Sequence, residues 1–487
     1  MSRSVGVLAP GAAAARDNVG VTSVVIVGGG PGGYEAAIVA AALGGDVVLV
    51  DSDGVGGSAV LTDCVPSKTL IATAEVMTLA AESGELGVRL GGAPATPGLV
   101  GVDLGVVNAR VKALAARQSD DIRARLVDEG VRVVAGHGRL DGPSRVVVTG
   151  DDGEQTFAAD MVLLATGARP RIVPGAEPDG ERILTWEQVY DLPALPERLI
   201  VVGSGVTGAE FASAYNALGS DVVLVSSRDL VLPGEDPDAA TVIEDVFARR
   251  GMTVLSRSRA RAVRRIGDGV EVDLADGRVV AGSHCLMAVG SIPNTEDLQL
   301  AGAGVATDDR GFITVDRVSR TTARGVYGAG DCTGVLMLAS VAAMQGRIAV
   351  WHMMGDAVNP LELKTVSSNV FTDPEIATVG AGEAEVASGR LDAVSCLMSL
   401  STNPRAKMLG FRDGFVKLFC RRGSGTILGA VIVAPRASEL IYPLAIAVEE
   451  RLNVDQFAHS FSVYPSLTGT IGEAARRLHR EGVLRRG

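Results

Sequence analysis

The sequence predicts an α/β fold in which one structural unit occurs twice. From Ser23 a short apolar strand (VVIVG) leads through a glycine turn into an alanine-rich helix and a second apolar strand (VVLVD). The same order returns from Leu199 as LIVVG, GSGVTGAEFASAYNALG and DVVLVSS. Residues 364–487 differ: they mix β-branched segments (FVKLFC, GAVIVA) with a helical one (ASELIYPLAIAVEERL) and carry no glycine fingerprint. Strand, glycine turn, helix and strand form a βαβ unit, so the chain reads as two Rossmann-like dinucleotide-binding domains plus a C-terminal α+β domain.

In chain order, residues 1–22 have a positive start but no unbroken apolar segment of export length, and read as a flexible tail. Residues 23–170 form the first dinucleotide-binding domain. Inside it, residues 106–129 read as a long amphipathic helix, preceded by a Gly/Pro-rich loop at 91–101. Residues 171–293 form the second domain, ending in short strands. Residues 294–363, in which GVYGAGDCTG leads into another helix, return to the first domain, and residues 364–487 form the separate third unit.

Composition limits what such a chain can do. At 487 residues it exceeds a single core, which stops growing near ~250–300 residues. With 45 basic and 57 acidic residues its net charge is −12, which disfavours non-specific contact with nucleic acid or an anionic membrane and suits a cytoplasmic protein. The most apolar stretch, residues 36–50, is broken by Gly44, Gly45 and Asp46, so no membrane span is expected. Five scattered cysteines (Cys64, Cys285, Cys332, Cys396, Cys420) with no C-x-x-C pair indicate neither a disulfide framework nor a metal site. Cys285, Cys332, Cys396 and Cys420 read as packing residues, as do Trp186 and Trp351.

Gly28, Gly30 and Gly33 make a G-x-G-x-x-G turn directly after a strand and at the start of a helix. The first glycine permits the turn, the second lets backbone approach a pyrophosphate, and the third allows close helix–strand packing. The helix N-terminus offers free N–H groups to phosphate. Asp51, eighteen residues after Gly33, can accept hydrogen bonds from a ribose hydroxyl. In the second unit Gly203, Gly205 and Gly208 repeat the spacing, but the position equivalent to Asp51 is Ser226. Without a carboxylate there, a 2′-phosphate is tolerated, and Arg228 could pair with it. The second site is therefore expected to favour NADPH, with NADH as the competitor.

Two fingerprints in this order, with GGSAVLTDCVPSK (residues 56–68), LLATGARP (163–170), MAVGSIPN (287–294), GAGDCTG (328–334), FTDPEIATVG and APRASELI, resemble the flavoprotein disulfide reductases over nearly the whole chain from Ser23. The resemblance implies FAD on the first domain, NAD(P)H on the second, and a homodimer formed through the third. It implies cofactor contacts by Gly57, Ser58, Thr166, Gly167 and Gly290, and a flavin ribityl contact by Asp331. Lys68 matches the lysine beside flavin N5, and Glu210 its ion-pair partner. A cation there would stabilise reduced flavin, and a buried lysine needs a nearby carboxylate to stay charged.

The pattern breaks at the chemistry. The family carries two cysteines four residues apart after the glycines; here Ala59 stands in the first place and only Cys64 remains. The family's partner-supplied His-Pro and following Glu are replaced in VYPSLTG by Tyr464 and Gly469. Losing a general base typically costs about 10²–10⁴ in rate, whereas one thiol cannot form an intramolecular disulfide at all. Electrons must then leave from the flavin ring itself. With Ala59 and Tyr464 at the substrate mouth, a planar quinone is the expected acceptor. The same constellation resembles the actinobacterial lipoamide dehydrogenase homologues that act as quinone reductases. Two other readings remain: a single-cysteine NAD(P)H oxidase or peroxidase cycling Cys64 through sulfenic acid, although those relatives carry a histidine where this chain has Pro31, and a non-catalytic FAD/NAD(P)-binding interaction protein. Retained Lys68 and Glu210 argue against the last.

Overall fold

The computed structural model describes residues 21–96, 98–151 and 153–484. The flexible-tail expectation thus falls, except for Val21 and Thr22, outside the described residues. Both βαβ units form. The first builds a five-stranded parallel sheet in the order Val326–Gly328, Met161–Leu164, Ser23–Val27, Asp46–Asp51, Arg132–Ala135. Its central strand is apolar at every residue from Val24 to Val27 because both faces are covered. On one side, Ile26 and Leu49 pack with Ala36, Ala37 and Ala40 of the helix Pro31–Ala42 and with Ala349 and Val350 of the helix Ala339–Met353. On the other, Val25, Val27 and Val50 pack against Leu140, Val146 and Val148 of a three-stranded antiparallel sheet.

The second unit repeats this plan. Its parallel sheet runs Ile183–Thr185, His284–Met287, Arg198–Val202, Asp221–Val225, Thr253–Leu255. The helices Val206–Leu218 and Pro237–Arg249 lie on one face, and the antiparallel strands Ala260–Ile266, Gly269–Leu274 and Val279–Gly282 on the other. The two crossings between the units, Ala168–Pro170 and Ser291–Pro293, pair antiparallel as a two-stranded ribbon. The long helix spans Leu104–Asp128, two residues earlier than the sequence suggested, because Asp103 caps it by accepting a hydrogen bond from Val106 N at 3.1 Å. Part of the Gly/Pro-rich loop is also ordered, as Ala93–Pro94 pairs with Arg89–Leu90.

The third unit is a five-stranded antiparallel sheet, ordered Ser367–Val370, Glu375–Gly380, Ile427–Ala434, Phe415–Arg421, Ala393–Ser399. Period-two alternation shows how it is used. Val431 and Val433, with Phe415 and Phe419 of the neighbouring strand, join the core of the second unit, while Ala430, Ile432 and Ala434 face the C-terminal helices. Each such side chain removed from water contributes about 1.5–3 kcal/mol. Lys417, buried on the same sheet, ties this docking with Nζ 2.9 Å from Asp236, 2.7 Å from Asp238 and 3.1 Å from Glu383. Of the packing cysteines, Cys285, Cys332 and Cys420 are buried; Cys396 is only partly so. Trp186 is buried and Trp351 partly buried. Among the described residues no helix is long and apolar enough to cross a membrane.

Candidate functional site

The glycine turns divide into two physical kinds. Gly28 has φ +106°, and a Cβ there would lie 2.2 Å from Ala165 O; a Cβ on Gly33 would lie 1.8 Å from Gly28 O. These two glycines are demanded by the protein's own packing. Gly30 is different, because a Cβ there meets nothing closer than Gly57 Cα at 4.0 Å. The second turn repeats the division: Gly203 (φ +113°) and Gly208 would bring a Cβ to 2.1 and 1.9 Å of backbone oxygens, whereas Gly205 faces open space. In both units, therefore, the middle glycine leaves room beside a helix N-terminus, which is where a phosphate can be held.

At the first turn this room continues into a cavity of about 900 Å³. Gly28, Gly30, Asp51, Gly57, Ser58, Ala59, Cys64, Thr166, Gly167 and Asp331 all line it. Gly33 lies behind it as a packing residue. Asp51 stands at the strand end, where Oδ2 accepts from Gly29 N (2.6 Å) and Oδ1 from Gly54 N (2.7 Å) and Asp53 N (2.9 Å). Burial raises its carboxyl against the pull of those N–H groups. Thr166 donates to Asn294 O at 2.7 Å and so fixes the wall near the interdomain crossing.

Asp331 is an unsatisfied member of the lining. Its partly buried carboxylate makes no hydrogen bond or ion pair among the described residues, and burial together with Asp63 pushes its pKa up to about 6. A buried acceptor without a donor fits a hydroxyl-bearing ligand, and with the room beside Gly30 it makes the cavity suited to FAD. The raised pKa also sets a sign for the apoprotein. The cost of an ionised Asp331 is absent below its ordinary value of 3.8 and grows as pH rises through about 6. Asp331→Asn is thus expected to raise the apoprotein's thermal midpoint at pH 8 by about 2–4 °C and to leave it unchanged at about pH 3. FAD affinity should fall at least about tenfold. Calorimetry and flavin titration of the variant check both.

The structure brings Lys68 and Glu210 together across 142 residues of sequence. Lys68, one turn into the helix Cys64–Glu82, places Nζ 2.7 Å from Oε2 of Glu210 on the helix Val206–Leu218. Glu210 is 3% exposed, and its Oε1 accepts from Phe371 N at 2.8 Å. The Phe371 ring lies under the ammonium, 4.7 Å from centroid to Nζ. Burial, the largest single influence, pulls the Lys68 pKa down, but the charge and hydrogen bond of Glu210, joined by Cys64 and Asp63, turn the net shift upward. Sequence reasoning missed Phe371, whose backbone role carries no sequence signal. It also missed Asp63, whose position directly before an N-terminal helical cysteine could have drawn notice.

Cys64 is the one cysteine among the described residues that line the cavity, and it is in no disulfide. Burial, then Asp63, push its thiol up to about 12. In the second unit Ser226 is fully buried: its Oγ pairs with Ser204 Oγ at 2.7 Å and accepts from Arg228 N at 3.1 Å. Arg228 is exposed, and its guanidinium forms no ion pair among the described residues. Gly290 (φ +93°) faces open space at the interdomain crossing. Tyr464 does not line the cavity of its own chain; it is 82% exposed beside Phe461 and Val463, also exposed.

Comparison with known proteins agrees with this geometry. The chain is 53% identical over 468 residues to a Mycobacterium tuberculosis protein named NAD(P)H dehydrogenase (quinone), covering 94% of each. It is 34% identical over 469 residues to dihydrolipoyl dehydrogenase 2 of Haloarcula marismortui, covering 95% of this chain and 98% of that one. The crystal structure of LpdA from M. tuberculosis superposes with a TM-score of 0.89 at 52% identity, covering 94% of this chain and 100% of that one. Residues 22–346 match the pyridine nucleotide-disulphide oxidoreductase profile and residues 366–475 the dimerisation domain of the same family. With both profiles matched in order and the α/β architecture they describe, the chain belongs to the pyridine nucleotide-disulphide oxidoreductase family, whose members use FAD and NAD(P)H.

Proposed function

We propose that this chain is an FAD-dependent NAD(P)H:quinone oxidoreductase that prefers NADPH and works as a homodimer. The observation that carries the reading is the single thiol among the described residues that line the cavity: Cys64 lines it, while its companion position is Ala59, a methyl group. No dithiol can form from these two positions, so disulfide reduction through them is closed. When bound, FAD supplies a two-electron carrier that takes hydride from NAD(P)H and serves a second acceptor. Gly30, Gly57, Ser58, Thr166, Gly167, Asp51 and Asp331 would hold it, the last two through ribose and ribityl hydroxyls. Lys68 holds a positive charge in place, and Glu210 keeps that charge from being lost to burial.

The Mycobacterium relative's name supports a quinone acceptor. A thiol pushed up to about 12 is a poor nucleophile, which weighs against a peroxidase cycle on Cys64. The unpaired Arg228 guanidinium, with no acid at Ser226, supports recognition of a 2′-phosphate. In a dimer formed by the third unit, the exposed Phe461, Val463 and Tyr464 would be covered, and Tyr464 would offer an aromatic face to the mouth of the partner's cavity.

The test is anaerobic. Holoenzyme is reduced with NADPH or NADH and mixed with a benzoquinone, a naphthoquinone or lipoamide while flavin absorbance is followed. Reoxidation by the quinones, none by lipoamide, and faster reduction by NADPH than by NADH are expected. Brisk reoxidation by lipoamide overturns the assignment.

A further inference from the structure

Cys64 occupies a position that ordinarily makes a thiol acidic. It is the first residue of the 19-residue helix Cys64–Glu82, and Lys68 stands one turn later. The positive helix end and a nearby cation both favour thiolate, and cysteines so placed usually titrate well below a free thiol. Here the thiol does the opposite.

Burial is the first cause of the reversal, and the charged group that adds most to it is Asp63. It occupies the N-cap position, where an aspartate normally accepts a hydrogen bond from the first turn of the helix, yet its side chain makes no such bond. Its carboxylate has no hydrogen-bond or ion-pair partner among the described residues, and it lines the cavity beside the sulfur. The other charged groups facing the thiol are Lys68, Glu210 and Asp331. Lys68 and Glu210 neutralise each other at 2.7 Å, which leaves Asp63 and Asp331 as the uncompensated charges facing the sulfur, with Asp63 the stronger influence of the two. Tyr190, whose buried hydroxyl is also without a partner, and Glu187 lie within reach of the same carboxylate and supply no compensating positive charge.

We propose that Asp63 is a specificity-determining residue: its unpaired carboxylate, set immediately before Cys64 at the start of the helix, keeps the thiol protonated and non-nucleophilic. The thiol at the cavity is thereby silenced, and oxidants and electrophiles that reach the site find no thiolate. This holds whatever the physiological acceptor is.

The test is alkylation of the holoenzyme by iodoacetamide across pH 7–10, a reaction in which thiolate displaces iodide to give a thioether. Mass spectrometry locates the adduct, and Cys64→Ser provides the blank for the other cysteines. A neighbouring charge moves a pKa by about 1–3 units, and at about 2 units Asp63→Asn should raise the Cys64 alkylation rate at pH 8 on the order of a hundredfold. The rate should also begin to level by pH 10, whereas in the parent it keeps climbing. Asp63→Ser carries the same expectation should the asparagine variant fold poorly, and Asp63→Glu, which restores the charge, should behave like the parent. Loosened packing would multiply the rate without levelling it and would not be rescued by glutamate. An unchanged rate in Asp63→Asn, a rise without levelling, or a glutamate variant as reactive as the asparagine one overturns the proposal.

Discussion

Glu210→Ala is expected to lower the thermal midpoint of the chain by about 3–6 °C and to slow flavin reduction by NADPH, and adding Lys68→Met should restore most of the midpoint but none of the rate. Glu210 holds two things at once, the Lys68 ammonium through Oε2 and the Phe371 N–H through Oε1, from a side chain 3% exposed. Removing it strands a charge and an N–H. Breaking a buried ion pair from one side costs about 3–5 kcal/mol, and because the Lys68 side chain stays 30% exposed the lower figure applies. Deleting both partners removes the stranded charge, which is why the double variant should be the more stable one. Glu210→Gln, which can still accept from Phe371, should fall between. Lys68 has a raised folded-state pKa, so the pair's contribution is present at neutral pH and is lost as pH rises above 10.5 and through that raised value. The gap between parent and double variant should close there, and differential scanning at pH 7 and pH 11 measures it. A single variant as stable as the double one would mean that the pair carries no stabilising charge.

The pairing of Lys68 with Glu210 was legible in the sequence only because the motifs around them resemble a family; nothing in their spacing brings residues 142 apart into contact. The glycine turns were legible on physical grounds alone, since a strand, a positive-φ turn and a helix leave few residue choices. Side-chain direction was not legible. Ser226 was marked for the absence of an acid, but whether its hydroxyl turns to a ligand or inward to Ser204 depends on rotamer and neighbours, and it turns inward. Tyr464 aligned with a catalytic position, yet in the single chain it is 82% exposed and does not line the cavity. Asp63 drew no notice in the sequence, and only the folded chain reveals a carboxylate at the N-cap position that makes no capping bond. The docking of the third unit on the second was hidden for a related reason. An alternating strand says that two faces are distinguished, not that both are buried, and Val431 and Val433 are apolar whether they meet solvent-side helices or another domain.

The three glycines of each turn should fail in different ways, and the second turn gives the cleaner comparison. Gly208→Ala places a methyl carbon 1.9 Å from Gly203 O and 3.4 Å from the Ala288 side chain, so helix and strand must separate. Overpacking of this kind costs typically about 1–3 kcal/mol and more where backbone cannot yield. The variant should unfold earlier and accept hydride from NADPH poorly, while FAD, seated on the other turn, stays bound. Gly205→Ala meets no protein atom within 4 Å, so its unfolding midpoint should match the parent's. Its methyl instead fills the space a pyrophosphate needs, and the apparent NADPH affinity should drop on the order of a hundredfold, about 2.7 kcal/mol by the usual conversion. In the first turn, Gly33→Ala meets Gly28 O at 1.8 Å and should yield protein that purifies without flavin. Absorbance of the purified variants, their unfolding midpoints and stopped-flow titration with NADPH separate the three outcomes. If Gly205→Ala were destabilised as much as Gly208→Ala, the middle glycine would be serving the fold, and the room beside it would not be where the dinucleotide sits.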